Sequence, residues 1–425
     1  MPAHVGSSVE PAVTLFARQD GSVLDMPGKG AAVDNGKIVA ARADDFIAQP
    51  EGTLLLRLVG RSPLGLTGGK IMALDAYEGQ PIDAVAAALP LGYTRTLLPA
   101  YRTRKGAEPL PLYGYAAVAW FEDGFRVAAA RTDQLQSWST QAHGADVLER
   151  SIGERMAEFP GNGLLVQLKR CATEYGCYTA QNAFLRQGEA ALPVSPACNA
   201  RCIGCISEQD PQARIISAQE RIGALPRVDE IRDVAVAHLN TVADAIVSFG
   251  QGCEGEPLLA APLIEQAIKA IRARTSAGVI HCNTNASRPK ALQRLLVAGL
   301  QSVRVSLNSA RPDIYAAYYR PRGYDFGDVR ASLKVAADAH ATISLNLLTH
   351  PGISDDRADM AALSELLREF PIGMVQTRTL NVDPEVYFAA VGRPQESPFG
   401  MQRWLQWLRE EFPQVRVGNF TRSFG

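Results

Sequence analysis

The 425-residue chain has no run approaching 18 apolar residues, and its opening, MPAHVGSSVEPAVTLFARQDG, lacks a charged segment followed by an apolar one. Membrane insertion and export by a leader of that kind therefore have no support. An excess of one charge is missing too, since 43 basic and 44 acidic residues leave a net charge of −1. No global attraction to nucleic acid or to an anionic surface follows, so neither nucleic acid nor membrane is an expected partner, although a local basic groove stays open. Residues 1–135 contain neither a GxGxxG phosphate loop nor a DxHxxG signature, the marks of dinucleotide and cobalamin sites. Cysteine is sparse: seven, an odd number, with three in one loop and none beyond Cys282. That usage suits a reducing compartment, with the cytoplasm as the expected location, better than a disulfide scaffold.

What is present is an ordinary globular composition, 47% hydrophobic and 20% charged, long enough for two or three domains. From about residue 11 to 135, runs such as AVTLFARQ, GTLLLRLVG and YGYAAVAWF alternate with turn signals. They predict a small mostly-β domain, with hairpins at Asn35-Gly36 and Asp123-Gly124. Residues 136–188 read as a helical connector. Its second helix is expected to run without a break through Cys171 and Cys177, which lie six apart and so face different directions.

From residue 189 the pattern becomes strand, loop, helix, repeated six times to about residue 390, which predicts parallel βαβ units. Residues 391–425 supply a C-terminal helix, with Trp404 and Trp407 on a packed face, and a tail. Ligands in such folds sit beyond the carboxyl ends of the strands. Just past the first strand lies A-CNARCIGC-I, with Cys198, Cys202 and Cys205 inside eight residues. Thiolates that close repel one another and oxidise readily, so a soft metal centre accounts for them best. The pair Cys202 and Cys205 also reads as a CxxC dithiol, or as half of a zinc site that would need a fourth ligand nearby.

The spacing of the three cysteines resembles the cluster loop of the radical S-adenosylmethionine (SAM) superfamily. The resemblance implies a partial (β/α)6 TIM-like barrel, a 4Fe-4S cluster held by Cys198, Cys202 and Cys205, and SAM on the fourth iron. Where many members carry an aromatic residue this chain has Gly204, whose main chain would still reach the adenine. The second strand runs into GQGCEGEP, similar to the family's GGEP motif, with Gly255, Glu256 and Pro257 retained and Glu254 in place of the first glycine. By that likeness Glu256 would meet the methionine ammonium; taken alone, GEP is also a helix start with proline in its first turn. Asn285 after the third strand, and Ser306 and Asn308 at the end of the fourth, complete the implied SAM contacts.

Tyr318, Tyr319, Arg320, Arg322 and Tyr324 offer a cationic and aromatic group at the pocket mouth, or a loop whose rings cover apolar surface. Gln376, Arg378 and Asn381 are expected to face the barrel mouth. Cys253, Cys282 and His281 read as buried strand-end residues. The implied activity is reductive cleavage of SAM, fed by an external one-electron reductant of flavodoxin or ferredoxin type, and hydrogen abstraction from a peptide, protein or small metabolite. The rival is a non-catalytic iron-sulfur or zinc protein acting as a binding or redox module.

Overall fold

A computed structural model describes residues 12–122, 124–133 and 144–421. Contacts group them into two compact units, neither continuous in sequence. One takes the chain up to Thr132 together with Thr349–Met360 and Thr379–Glu410, and the other takes Asp133–Leu348, Ala361–Arg378 and the chain from Glu411.

The first unit is built on a 13-stranded, antiparallel-paired sheet. Strands Val23–Asp34 and Ile38–Ala40 form the Asn35-Gly36 hairpin, and Gly36 adopts φ +100, a conformation glycine takes without strain. Strands Val118–Phe121 and Gly124–Val127 pair as the second hairpin; Asp123, in its turn, lies outside the described residues. Alternation along these strands buries small and branched side chains: Leu15, Ala17, Val85, Ala87 and Val127 share one cluster.

Two buried charged groups fasten the returning segments. Arg95 is fully buried and donates to the carbonyls of Tyr115 (3.2 Å), Leu380 (3.2 Å) and Thr349 (3.5 Å), and burial pushes its guanidinium down to about 9. Asp355, also fully buried, accepts from the amides of Gly352 (2.6 Å) and Gly400 (2.9 Å). Burial pushes its carboxyl up from 3.8 to about 6, against the pull of those amides. The folded chain therefore keeps a proton that the unfolded chain has released, and stability falls as pH rises from about 3.8 to about 6. The shift corresponds to a loss on the order of 2 to 3 kcal/mol. Urea titrations across that window should show a shallower fall for Asp355→Asn than for the parent, and equal slopes would refute the assignment.

The second unit opens with helices Ala145–Glu158, Gly163–Thr173 and Tyr178–Leu185; the start expected near residue 136 falls among residues outside the description. The unbroken helix expected through Cys177 is not formed. Gly176 turns the chain at φ +60, and the Cys177 amide bonds back to the Cys171 carbonyl (2.9 Å), so Cys177 caps the next helix.

Seven parallel strands follow in sequential order: Glu189–Ala191, Ile246–Phe249, Val279–Thr284, Ser302–Leu307, Thr342–Thr349, Ile372–Thr379 and Arg416–Gly418. This is the curled half-barrel that the family resemblance implies, built from the parallel units that the repeats predict and extended by a seventh strand from the C-terminal segment. Nearly continuous apolar runs suit strands covered on both faces. Between them lie amphipathic helices such as Ala261–Arg272, which buries Ile264, Ile268 and Ile271 at helical spacing. Each such side chain contributes about 1.5–3 kcal/mol. Helix starts are set locally, by proline at the first turn of Pro289–Ala298 and Pro312–Tyr319 and by Asp325 capping Phe326–Asp338. In the first unit, the helix Met401–Glu411 buries Met401, Trp404, Leu405 and Leu408 on one face.

Candidate metal centre and cofactor site

Leu192 continues the sheet past the first strand, donating to the Ser248 carbonyl (2.8 Å), and the chain then leaves as the cysteine loop. Its departure is governed by Glu254. One carboxylate oxygen accepts from the amides of Val194 and Ser195 (2.8 Å each), the other from Gly250 (2.6 Å) and Gln251 (2.7 Å). Four backbone donors on one buried carboxylate tie the exits of the first two strands together. Burial pushes this carboxyl up to about 7, and the four amides pull it back.

The GEP segment lies against the loop by main-chain bonds. Gly255 donates to the Ser195 carbonyl (2.6 Å) and Glu256 to that of Ala197 (2.8 Å), one residue before Cys198. A Cβ on Gly255 would stand 2.0 Å from the Ala197 oxygen, so the approach requires glycine. The Glu256 carboxylate, buried, accepts from the amides of Leu258 (3.0 Å) and Asn285 (2.8 Å) and from the Thr284 hydroxyl. It caps the short turn Pro257–Ala260, and burial pushes it up to about 7. The helix-start reading of GEP and its place beside the cysteines thus hold together in one side chain.

Asn285 reaches back to the loop, its amide donating to the Asn199 side chain (2.9 Å) while its oxygen accepts from Ser287 N (3.0 Å). On the other flank, Arg201 N and Ile203 N donate to the carbonyls of Tyr319 (2.9 Å) and Tyr318 (3.1 Å). Arg322 donates from its side chain to the Cys198 carbonyl (3.1 Å). Tyr315 and Tyr319 stack at 4.5 Å, Tyr315 shares a hydroxyl contact with Tyr324 (3.1 Å), and all three rings are buried. The tyrosines therefore form the wall under the loop, and Arg320 and Arg322 stay outside it.

Cys198, Cys202 and Cys205 are half-buried, Gly204 sits in their turn, and Cys205 N closes it onto the Cys202 carbonyl (3.2 Å). Gln209 braces the turn from the Ile203 (3.1 Å) and Cys205 (2.6 Å) carbonyls, and Arg221 Nη2 stands 3.6 Å from Cys205 Sγ. Burial raises the thiols of Cys198 and Cys202, Cys202 well above the ordinary range, where the neighbouring Cys205 and Cys198 add to it. Such thiols become thiolates when a cation compensates them.

Among the described residues no set of three or more His, Cys, Asp or Glu side chains is gathered to hold a single metal ion. A four-iron cube, with each thiolate on a different iron, asks for wider spacing than one ion does. The half-buried trio, the close glycine approach and the bracing of the loop fit that group.

Ser306 is half-buried and pairs in register with Asn346. Asn308 is fully buried and donates to the Ile314 carbonyl (3.3 Å) at the next helix. Sequence reasoning passed over Asn346, whose Oδ1 is buried without a partner; an amide inside the apolar strand TISLNLLT was the available signal. It also passed over Asn199, Arg221 and Thr284. Gln376 and Arg378 turn into a buried charged group, with Gln376 Oε1 accepting from Arg304 (2.8 Å), while Asn381 belongs to the first unit. His281 is buried between Ser302 (2.8 Å) and Asn283 (3.0 Å), and burial holds it neutral, at about 4. Cys253 and Cys282 are buried.

The Radical SAM superfamily model matches residues 192–363. Similar proteins include a GTP 3',8-cyclase of Streptomyces coelicolor, 27% identical over 199 residues, 45% of this chain and 53% of that protein. The FeMo cofactor biosynthesis protein NifB of Klebsiella pneumoniae is 26% identical over 263 residues, 57% of this chain and 54% of that one. The chain spans about half the length of the curated relatives it matches. A solved structure, native anSMEcpe with bound AdoMet, aligns at TM-score 0.40 and 14% identity, over 54% of this chain and 64% of that one, a likeness too slight to enter the assignment. The family match, confined to residues 192–363 and so to less than half of the chain, makes that segment, with its cysteine loop and glycine pattern, similar to the radical SAM superfamily, whose members bind a 4Fe-4S cluster and SAM.

Proposed function

We propose that this chain is a radical SAM enzyme in which Cys198, Cys202 and Cys205 hold the cluster. Gly204, Gly255, Glu256, Pro257, Asn285, Ser306 and Asn308 line the place for SAM. When bound, the cluster would supply the electron for reductive cleavage of SAM to methionine and a 5'-deoxyadenosyl radical. The chain's own part is to position and to exclude water. Glu254 and Glu256 lock three strand exits with backbone bonds, and the tyrosine wall keeps the underside of the loop dry.

The observation that carries the reading is the joining of Ser195–Ala197, Gly255–Glu256 and Asn285 by hydrogen bonds directly beside the three thiols. The substrate is a peptide, protein or small metabolite, and the electron comes from a flavodoxin- or ferredoxin-type donor in a reducing, cytoplasmic setting. Protein purified without oxygen and supplied with iron and sulfide should bind both in equal amounts and, with dithionite and SAM, release 5'-deoxyadenosine. Bound zinc instead of iron, or no 5'-deoxyadenosine, would favour the binding-module rival.

A further inference from the structure

The first unit holds a cavity of about 380 Å³ that the cofactor chemistry does not use. One side is the strand Ile38–Ala40, whose only sheet neighbour among the described residues is Val23–Asp34. Asn35 N bonds Lys37 O and Ala41 N bonds Ala31 O, so Val39 is the residue that faces its partner Val33 with both main-chain groups. The N–H and C=O groups of Ile38 and Ala40 consequently point off the sheet. Ile38 and Val39 are 41% and 42% exposed, an apolar open edge of the kind proteins normally blunt. Val39 and Ala40 also line the cavity.

The opposite side is the start of the helix Met401–Glu411. Its first intrahelical bond is from Trp404 N to Gly400 O (2.8 Å), and the Gly400 amide is taken by Asp355. The amides of Met401, Gln402 and Arg403 precede that bond and have no acceptor within the helix; all three residues line the cavity. Arg42 and Arg403 supply positive charge there, against a single carboxyl, Asp45, which burial pushes up. Thr96, 2% exposed, lines the same cavity, and its hydroxyl has no hydrogen-bond partner.

We infer that this cavity takes the C-terminal end of a peptide, added as a strand along Ile38–Ala40 with its terminal carboxylate at the helix start between Arg42 and Arg403. The parts are complementary in kind. An open strand edge pairs with extended backbone, the apolar wall of Val39 and Phe399 takes the last side chain, and helix amides with two guanidinium groups take a carboxylate.

The test uses the whole chain and a hexapeptide of alternating alanine and valine, acetylated at its start, in free-acid, amidated and backbone N-methylated forms, titrated by calorimetry. The free acid should bind at least about tenfold tighter than the amide. Arg42→Ala combined with Arg403→Ala should erase that preference, and N-methylation should abolish binding. Equal affinity of acid and amide, undiminished binding of the N-methylated peptide, or displacement by equimolar acetate or inorganic phosphate would each overturn the inference. No cluster or SAM is needed for binding, so its failure leaves the radical SAM reading standing, and the reverse also holds.

Discussion

Cys202→Ala should reduce 5'-deoxyadenosine release to background and leave the reconstituted protein short of iron. In the proposed ligand set, losing one of three thiolates would leave an iron without its protein ligand. The fold should survive, because what Cys202 contributes to the loop is main chain: its carbonyl accepts from Cys205 N, and its neighbours Arg201 and Ile203 bond the tyrosine wall through their amides. Unchanged thermal unfolding of the cluster-free protein would separate lost chemistry from lost structure. Cys177→Ala, at the cap of the helix Tyr178–Leu185 and outside the proposed ligand set, should keep both cluster and turnover. Undiminished 5'-deoxyadenosine from Cys202→Ala would sink the proposed ligand set.

Glu254→Gln should destabilise the cluster-free protein by about 2–6 kcal/mol, since two of its four backbone donors would face an amide N–H2 and remain buried without acceptors. Charge is not the only loss. With Val194 and Ser195 released from Gly250 and Gln251, the loop loses its fixed departure from the sheet, so cluster uptake should fall with stability. Urea unfolding without iron and iron content after reconstitution measure the two effects. A midpoint equal to the parent's would show that the strand exits are held some other way.

The contrast between these two residues shows what could be read in advance. Cys202 declares itself because three thiols within eight residues have few alternative explanations. Glu254 stood in the sequence only as a departure from a glycine pattern. Its role depends on four amides from two separate segments, Val194–Ser195 and Gly250–Gln251, and no local pattern records that meeting. Glu256 was legible as a carboxylate near the cofactor, but not as one that already accepts three hydrogen bonds from its own fold. The helix expected through Cys177 failed at Gly176, where apolar spacing continued across a residue that takes φ +60 readily.

By itself the sequence determined the repeat of strand and helix, because side-chain period and local caps set each element within a few residues of chain. It likewise determined the cysteine loop. Only the tertiary structure decided that Thr349–Met360 and Thr379–Glu410 join the first unit, that a seventh strand from Arg416 to Gly418 completes the sheet, and which carboxylates bind the strand exits. Those outcomes rest on hydrogen bonds and burial between residues tens to hundreds of positions apart. Their free energy depends on where the chain returns in space, which short-range periodicity does not encode.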